Sequence, residues 1–310
     1  MKNDAIIAGC RYSAEHISLY HWLEKTEHVE KRIEAVDLTT FQGSSNLRNA
    51  LGTFRTGEFV VLAGRPGMGK RTLLLNIALN ITQQANVAFL TLDLTEEHLA
   101  DHIVSSVTEI PYKDIRSGNL PKGHHEKLVG IKNPLLKNIY LYYEGASTLE
   151  DIWRRCTQVV LETGCTYIVI DSLQLLWALK ASNAKKGSDS RTANLNTICL
   201  MLKRFTREYD ATVIISSHTK RTVELRPANA RRPVLADIGE DCVEQLADKI
   251  LFLYRPAYYG LPDDESGNKV DNIAEVIMRK NCFGALGTAM LTYHPEISKF
   301  KDYIPSHRAT

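Results

Sequence analysis

From Phe59 onward, short β-branched apolar runs alternate with amphipathic stretches. The runs predict strands at Phe59–Ala63, Val87–Leu92, Ile139–Tyr143, Tyr167–Ile170, Thr212–Ser216, Ile250–Tyr254 and Ala274–Met278. The amphipathic stretches predict helices at Thr72–Gln84, Glu96–Val107, Leu149–Glu162 and Thr192–Tyr209. Strand and helix in alternation indicate an α/β class with a mostly parallel twisted sheet flanked by helices. Gly287–Tyr303 reads as a terminal hairpin, and the polar stretches Ala181–Arg191 and Arg221–Pro233 read as mobile loops. Before the sheet pattern, Ile17, Tyr20, Leu23, Val29, Ile33 and Val36 recur at helical spacing and give one apolar stripe. A helix with so narrow a stripe needs a surface to cover, either on its own domain or on a neighbouring subunit. The chain therefore divides into an N-terminal helical arm, 1–36, and a single α/β domain, 37–310.

Composition narrows the partners. Lys+Arg 38 against Asp+Glu 36 leaves a formal charge of +2 over 310 residues, so any nucleic-acid contact has to come from a local patch. No apolar run approaches the roughly 18 residues that span a bilayer, and no membrane association is expected. Ile6–Cys10 faintly resembles a lipoprotein cleavage site, but the apolar segment before the cysteine is too short and follows Asp4. The six cysteines show neither C-x-x-C pairs nor regular spacing, which suits a reducing cytoplasm.

The sharpest chemical signal is Gly64-Arg65-Pro66-Gly67-Met68-Gly69-Lys70, a G-x-x-x-x-G-K loop between a predicted strand and a predicted helix. Its glycines let successive N–H groups face a phosphate chain, the following helix presents its positive end, and the lysine reaches the β- and γ-phosphates. ATP is the expected cofactor, with Mg2+. The Ser or Thr that normally follows the lysine as a metal ligand is Arg71 here. Thr72 comes one residue late, and a helical step of about 100° turns its hydroxyl away. Arg71 either replaces part of the metal's charge or is solvated. The apolar run Tyr167–Ile170 ends in Asp171, which after a phosphate loop stands where the Mg2+ acid belongs.

In order along the chain, GEFVVLAGRPGMGK (57–70), FLTLDLTEEHL (89–99), YIVIDSLQLL (167–176), VIISSHTKR (213–221), RRPVLADIGE (231–240) and EQLADKILFLYR (244–255) resemble the RecA-like motor domain of DnaB-type replicative helicases. The resemblance extends from about residue 35 to the end. It implies a RecA-like P-loop NTPase fold and a ring, usually a hexamer, that moves on single-stranded DNA by hydrolysing ATP between subunits. By position it makes Asp93 the carboxylate that polarises water, where Glu is usual. It makes His218 the γ-phosphate sensor, where Gln is usual, and Lys280 a cation reaching a neighbour's site. The arginine that accompanies that lysine is Cys282, and strand alternation turns the adjacent Arg279 to the opposite face from Lys280 unless the strand ends or bulges there. Lys185, Lys186 and Arg191 in one loop and Arg226, Arg231 and Arg232 in the other are the candidates for DNA contact, or else solvated charges. The residues before the phosphate loop are too few for the helical domain with which typical members bind primase. An ATP-dependent helicase or translocase core, working with other replication proteins, is the leading expectation. The alternative is a degenerate nucleotide-binding paralogue that serves assembly or regulation, because Arg71, Asp93, His218 and Cys282 all depart from the pattern. A small-molecule kinase is a distant third reading.

Overall fold

The structure is a computed structural model that describes residue 47 and residues 52–118, 120–129, 134–143, 148–178, 190–227, 230–239, 241–261 and 271–304. The expected arm, together with Lys185 and Lys186, lies outside the described residues. The chain runs through β1 (Phe59–Gly64), α1 (Lys70–Ile81), β2 (Val87–Thr91), α2 (Glu96–Thr108), α3 (Tyr112–Ser117) and α4 (Lys122–Val129). Next come β3 (Ile139–Tyr143), α5 (Leu149–Thr163), β4 (Tyr167–Asp171), α6 (Leu173–Ala178), α7 (Ser190–Glu208) and β5 (Thr212–His218). The last elements are α8 (Asp241–Leu246), β6 (Lys249–Tyr254), β7 (Ile273–Asn281), β8 (Thr288–His294) and β9 (Lys299–Asp302).

One nine-stranded sheet collects the strands in the order β3-β2-β4-β5-β1-β6-β7-β8-β9. Pairing is parallel from β3 to β6 and antiparallel from β6 to β9. The inner strands β1, β2, β4 and β6 are buried at every position because helices cover both faces. On one face Val60, Leu62, Phe89, Val169 and Ile214 pack under Leu73, Leu74 and Ile77 of α1 and Leu99 and Ile103 of α2. On the other, Val61, Ala63, Ile168, Ile170, Val213 and Ile215 pack under Ile152, Cys156 and Val159 of α5 and Ile198, Leu202 and Phe205 of α7.

The predicted terminal hairpin forms, as β8 and β9, and it braces the first helix. Asn76 of α1 donates to the Ser298 carbonyl at 3.1 Å and accepts from the Phe300 amide at 2.7 Å. The segment expected to be a mobile loop at Arg221–Pro233 contains a 3₁₀ helix at Arg221–Leu225. Helix α7 starts two residues before the predicted Thr192, so Arg191 sits in its first turn rather than in a loop.

Candidate functional site

In an open α/β sheet, ligands bind beyond the carboxyl ends of the parallel strands. The sheet register gathers most of the predicted chemistry at that edge. Gly64 at the end of β1 lies beside His218 at the end of β5, and Thr91 at the end of β2 lies beside Asp171 at the end of β4.

The loop from Gly64 to Lys70 turns through two left-handed glycines, Gly67 at φ 77° and Gly69 at φ 96°. A side chain at Gly69 would meet Tyr293 and Phe300 at 3.1 and 3.2 Å, so the hairpin's aromatic pair fixes that position as glycine by contact as well as by φ. Gly69 caps α1 without a side-chain hydrogen bond, and no acid occupies the first turn. By contrast, Thr95 caps α2 ahead of Glu96 and Glu97, and a Thr148–Asp151 capping box closes α5. The start of α1 is left with unsatisfied N–H groups and a positive end, which suits an anion.

Lys70 is buried and folds over the loop, donating to the Gly64 carbonyl at 2.9 Å and the Arg65 carbonyl at 3.0 Å. Burial pulls its ammonium down to about 8, against the opposing pull of Asp171. A desolvated cation held by neutral carbonyls is suited to a phosphate oxygen. Loop and helix start together fit the phosphates of a nucleotide. The other loop residues differ in duty. Met68 is buried in the core, Pro66 is exposed, and Arg65 turns away to pair with Glu224 at 2.6 Å and donate to the Thr219 carbonyl at 3.0 Å. That ties the phosphate loop to the segment after β5.

Arg71 is not solvated. Its Nε donates to Asp171 Oδ2 at 2.5 Å, and its Nη2 donates to both oxygens of Asp93 at 2.7 Å. Ser216 donates to the remaining oxygen, Oδ1, of the buried Asp171 at 2.5 Å. Burial alone would lower Arg71, but the two carboxylates outweigh it and hold the guanidinium above its ordinary value. All four carboxylate oxygens therefore have donors, and the position after Lys70 offers no oxygen ligand. The expected Mg2+ site, with Asp171 as its acid, does not fit this arrangement. Thr72 takes no part in this ion-pair group.

His218 is half-buried, and its backbone N–H donates to Gln174 Oε1 at 3.1 Å, while Gln174 Nε2 donates to Ser217 at 3.2 Å. Burial, then the nearby Lys70 and Arg65, lower the imidazole to about 4, so the ring is neutral at pH 7 with one donor and one acceptor nitrogen. His102, stacked on Tyr112 at 4.1 Å, is also lowered to about 4, by burial and then by Arg71. Above the ordinary value of 6.5, folded and unfolded rings are both neutral and contribute nothing. As the pH falls from 6.5 to about 4, the unfolded chain takes up protons that the folded chain refuses, so stability declines; below about 4 the penalty is constant. Urea midpoints across that window are expected to fall with pH and to fall less in a His102→Asn, His218→Gln double variant. Parallel curves for the two proteins would remove the histidines as the cause.

The late strand departs from simple alternation. Ile250 pairs with Lys280 while Leu251 pairs with Met278, so Arg279 is an extra residue in β7. This bulge interrupts the strict alternation of the strand at Arg279. Lys280 donates to the Glu244 and Gln245 carbonyls at 2.6 and 3.1 Å, and Arg279 donates to the Pro233 carbonyl at 3.1 Å. The bulge is thus the exception under which alternation does not oppose Arg279 to Lys280. Cys282 is exposed beyond them.

The basic residues of the second loop have intramolecular partners. Arg226 forms a two-pronged pair with the buried Asp237, and Arg231 donates to the Arg226 carbonyl at 2.9 Å and lies over the Tyr259 ring at 5.5 Å. Arg232 reaches Glu275 at 2.6 Å. Gln174, Ser216 and Glu224 carry positioning contacts that the sequence reading did not single out. Gln174 and Ser216 lay inside the runs YIVIDSLQLL and VIISSHTKR, whereas nothing local marks Glu224.

The sequence pattern of the DnaB-like helicase C-terminal domain matches residues 40–302. The chain belongs to the DnaB-like helicase C-terminal domain family. Among family members, replicative DNA helicase DnaB of Geobacillus stearothermophilus is 31% identical over 262 residues, and replicative DNA helicase DnaC of Bacillus subtilis is 32% identical over the same length. Each alignment covers 83% of this chain and 55% of the relative, so the chain spans about half the length of these helicases. A solved ATPase domain at 27% identity is covered completely, matching 94% of this chain with a TM-score of 0.78. A DnaB-like replicative helicase, solved to describe its interactions with primase, matches 92% of this chain and 66% of its own at 28% identity and a TM-score of 0.75. The fold is the RecA-like fold of the family's ATPase domains. No helix among the described residues is long and apolar enough to cross a membrane.

Proposed function

We propose that this domain is the ATP-driven core of a DnaB-like helicase or translocase, acting on single-stranded DNA as a homo-oligomeric ring of six subunits. The reading places it among replication proteins in the cytoplasm. It is carried by one observation, the convergence of the uncapped α1 start, the desolvated Lys70 and the Asp171 and Asp93 carboxylates on the same sheet edge. Backbone amides and Lys70 would hold the phosphates, His218 beside the loop would contact the terminal one, and Asp93 would orient water. Lys280, or Arg279 at the bulge beside it, would meet a neighbouring subunit. A second reading, a low-turnover assembly or regulatory module, is favoured by Arg71, which occupies both acids that turnover would use.

Steady-state ATP hydrolysis with and without single-stranded DNA tests the proposal. A motor is expected to reach the order of 1–100 s⁻¹ and to be stimulated by the DNA. Slow turnover that single-stranded DNA does not change would leave the module reading in its place.

A further inference from the structure

We propose that Arg71 is a built-in substitute for the divalent cation, so that this domain binds nucleoside triphosphate without a metal. The inference rests on the reading that the Gly64–Lys70 loop holds the phosphates. In phosphate-loop proteins the metal is held by the hydroxyl after the lysine and by an acid at a strand end, and it neutralises phosphate charge. Here one residue removes the first ligand and occupies the second. The position after Lys70 supplies a guanidinium in place of an oxygen, and that guanidinium sits on Asp171 Oδ2 at 2.5 Å.

The same side chain bridges 22 residues along the chain to Asp93, taking both of its oxygens at 2.7 Å. With Ser216 on Asp171 Oδ1 and Thr91 Oγ1 donating to Asp93 Oδ1 at 3.2 Å, neither carboxylate has an oxygen without a donor. A divalent ion at Asp171 would have to displace the guanidinium or crowd against it, and in either case that cation would stand close to both the new ion and Lys70. Like charges in a partly desolvated site repel far more than in water. A delocalised cation on a planar fork is suited to the role it has here, because it can join two carboxylates and still offer donors. Nε and Nη2 are engaged by the acids, while Nη1 has no partner among the described residues. Its two N–H groups can take a phosphate oxygen. The side chain is 31% exposed, so the cation is anchored inside and open to a ligand outside.

Calorimetric titration of the full chain with adenylyl imidodiphosphate, in excess EDTA and in excess magnesium, tests this. The parent chain is expected to show dissociation constants within about threefold of each other in the two buffers, and Arg71→Thr to bind at least ~10-fold more tightly with magnesium than with EDTA. Loss of ~10-fold or more in the parent on chelation would overturn the proposal. So would an Arg71→Thr variant that melts cooperatively yet gains nothing from magnesium, since metal independence would then have another source. Absence of binding in both buffers by a folded parent would overturn the phosphate-loop reading instead.

Discussion

Replacing Lys249 with methionine is expected to lower the unfolding free energy by about 3–5 kcal/mol, the range for removing one partner of a buried ion pair. Lys249 and Glu58 sit at the start of β6 and just before β1, at the opposite end of the sheet from the nucleotide site, and both are buried. The ammonium donates to Glu58 Oε2 and to the Thr53 carbonyl, each at 2.6 Å, while Glu58 Oε1 has no partner among the described residues. Burial raises the carboxyl and lowers the ammonium despite their mutual attraction. Desolvation therefore outweighs the pairing for both partners, and the pair adds little net stability although breaking it is costly. Glu58→Leu combined with Lys249→Met is expected to recover most of the loss, because neither charge is then stranded. The single variant should also regain stability as the pH falls towards the ordinary carboxyl value of 4.5, where the unfolded chain binds the proton that the buried Glu58 already holds. Urea unfolding of the three proteins at matched slopes decides it. Equal losses in the single and double variants would mean that packing at this end, not charge, sets the stability.

That pair marks the boundary of what could be read without coordinates. The inner parallel strands were legible because helices cover both faces of the sheet there, so they show as largely apolar runs, and even the partly buried edge strand Ile139–Tyr143 is identical in sequence reading and structure. The short helices Tyr112–Ser117 and Asp241–Leu246 were not, since a six-residue element hardly completes one apolar period. Phosphate loop and strand-end acid were legible because each is local, a backbone device in one case and a strand terminus in the other. Arg71 was legible as an anomaly, but its partners lie 22 and 100 residues away, and only the parallel pairing of β2 with β4 brings them to one place. Whether strand alternation held at Arg279 could not be read, because the bulge opposite Ile250 and Leu251 leaves no mark in composition. The arginines at 226 and 232 read as candidates for DNA contact or as solvated charges, and their ion pairs were not legible because Asp237 and Glu275, which hold them, stand on other elements.

A Lys70→Ala variant is expected to bind nucleoside triphosphate at least ~100-fold more weakly than the parent chain, the low end of losing two charge-assisted hydrogen bonds of roughly 1.5–3 kcal/mol each. The lysine is only 8% exposed, and its present acceptors are the carbonyls of the loop it serves. Moving the ammonium from those neutral oxygens to a phosphate replaces weak acceptors with charged ones, so the gain is realised only when ligand is bound. Because burial holds Lys70 near 8, the free protein loses this charge as the pH rises through that value, whereas a bound triphosphate favours the protonated form. Binding above about pH 8 must then take up a proton, and the parent's affinity should weaken with rising pH while that of Lys70→Ala stays flat. Calorimetric affinities from neutral to alkaline pH measure both effects. The pH slope also separates a binding role from a structural one: a variant that merely loosened the loop would lose affinity and keep the parent's dependence. Equal affinity of the two proteins across the range would remove Lys70, and with it the phosphate loop, from nucleotide binding.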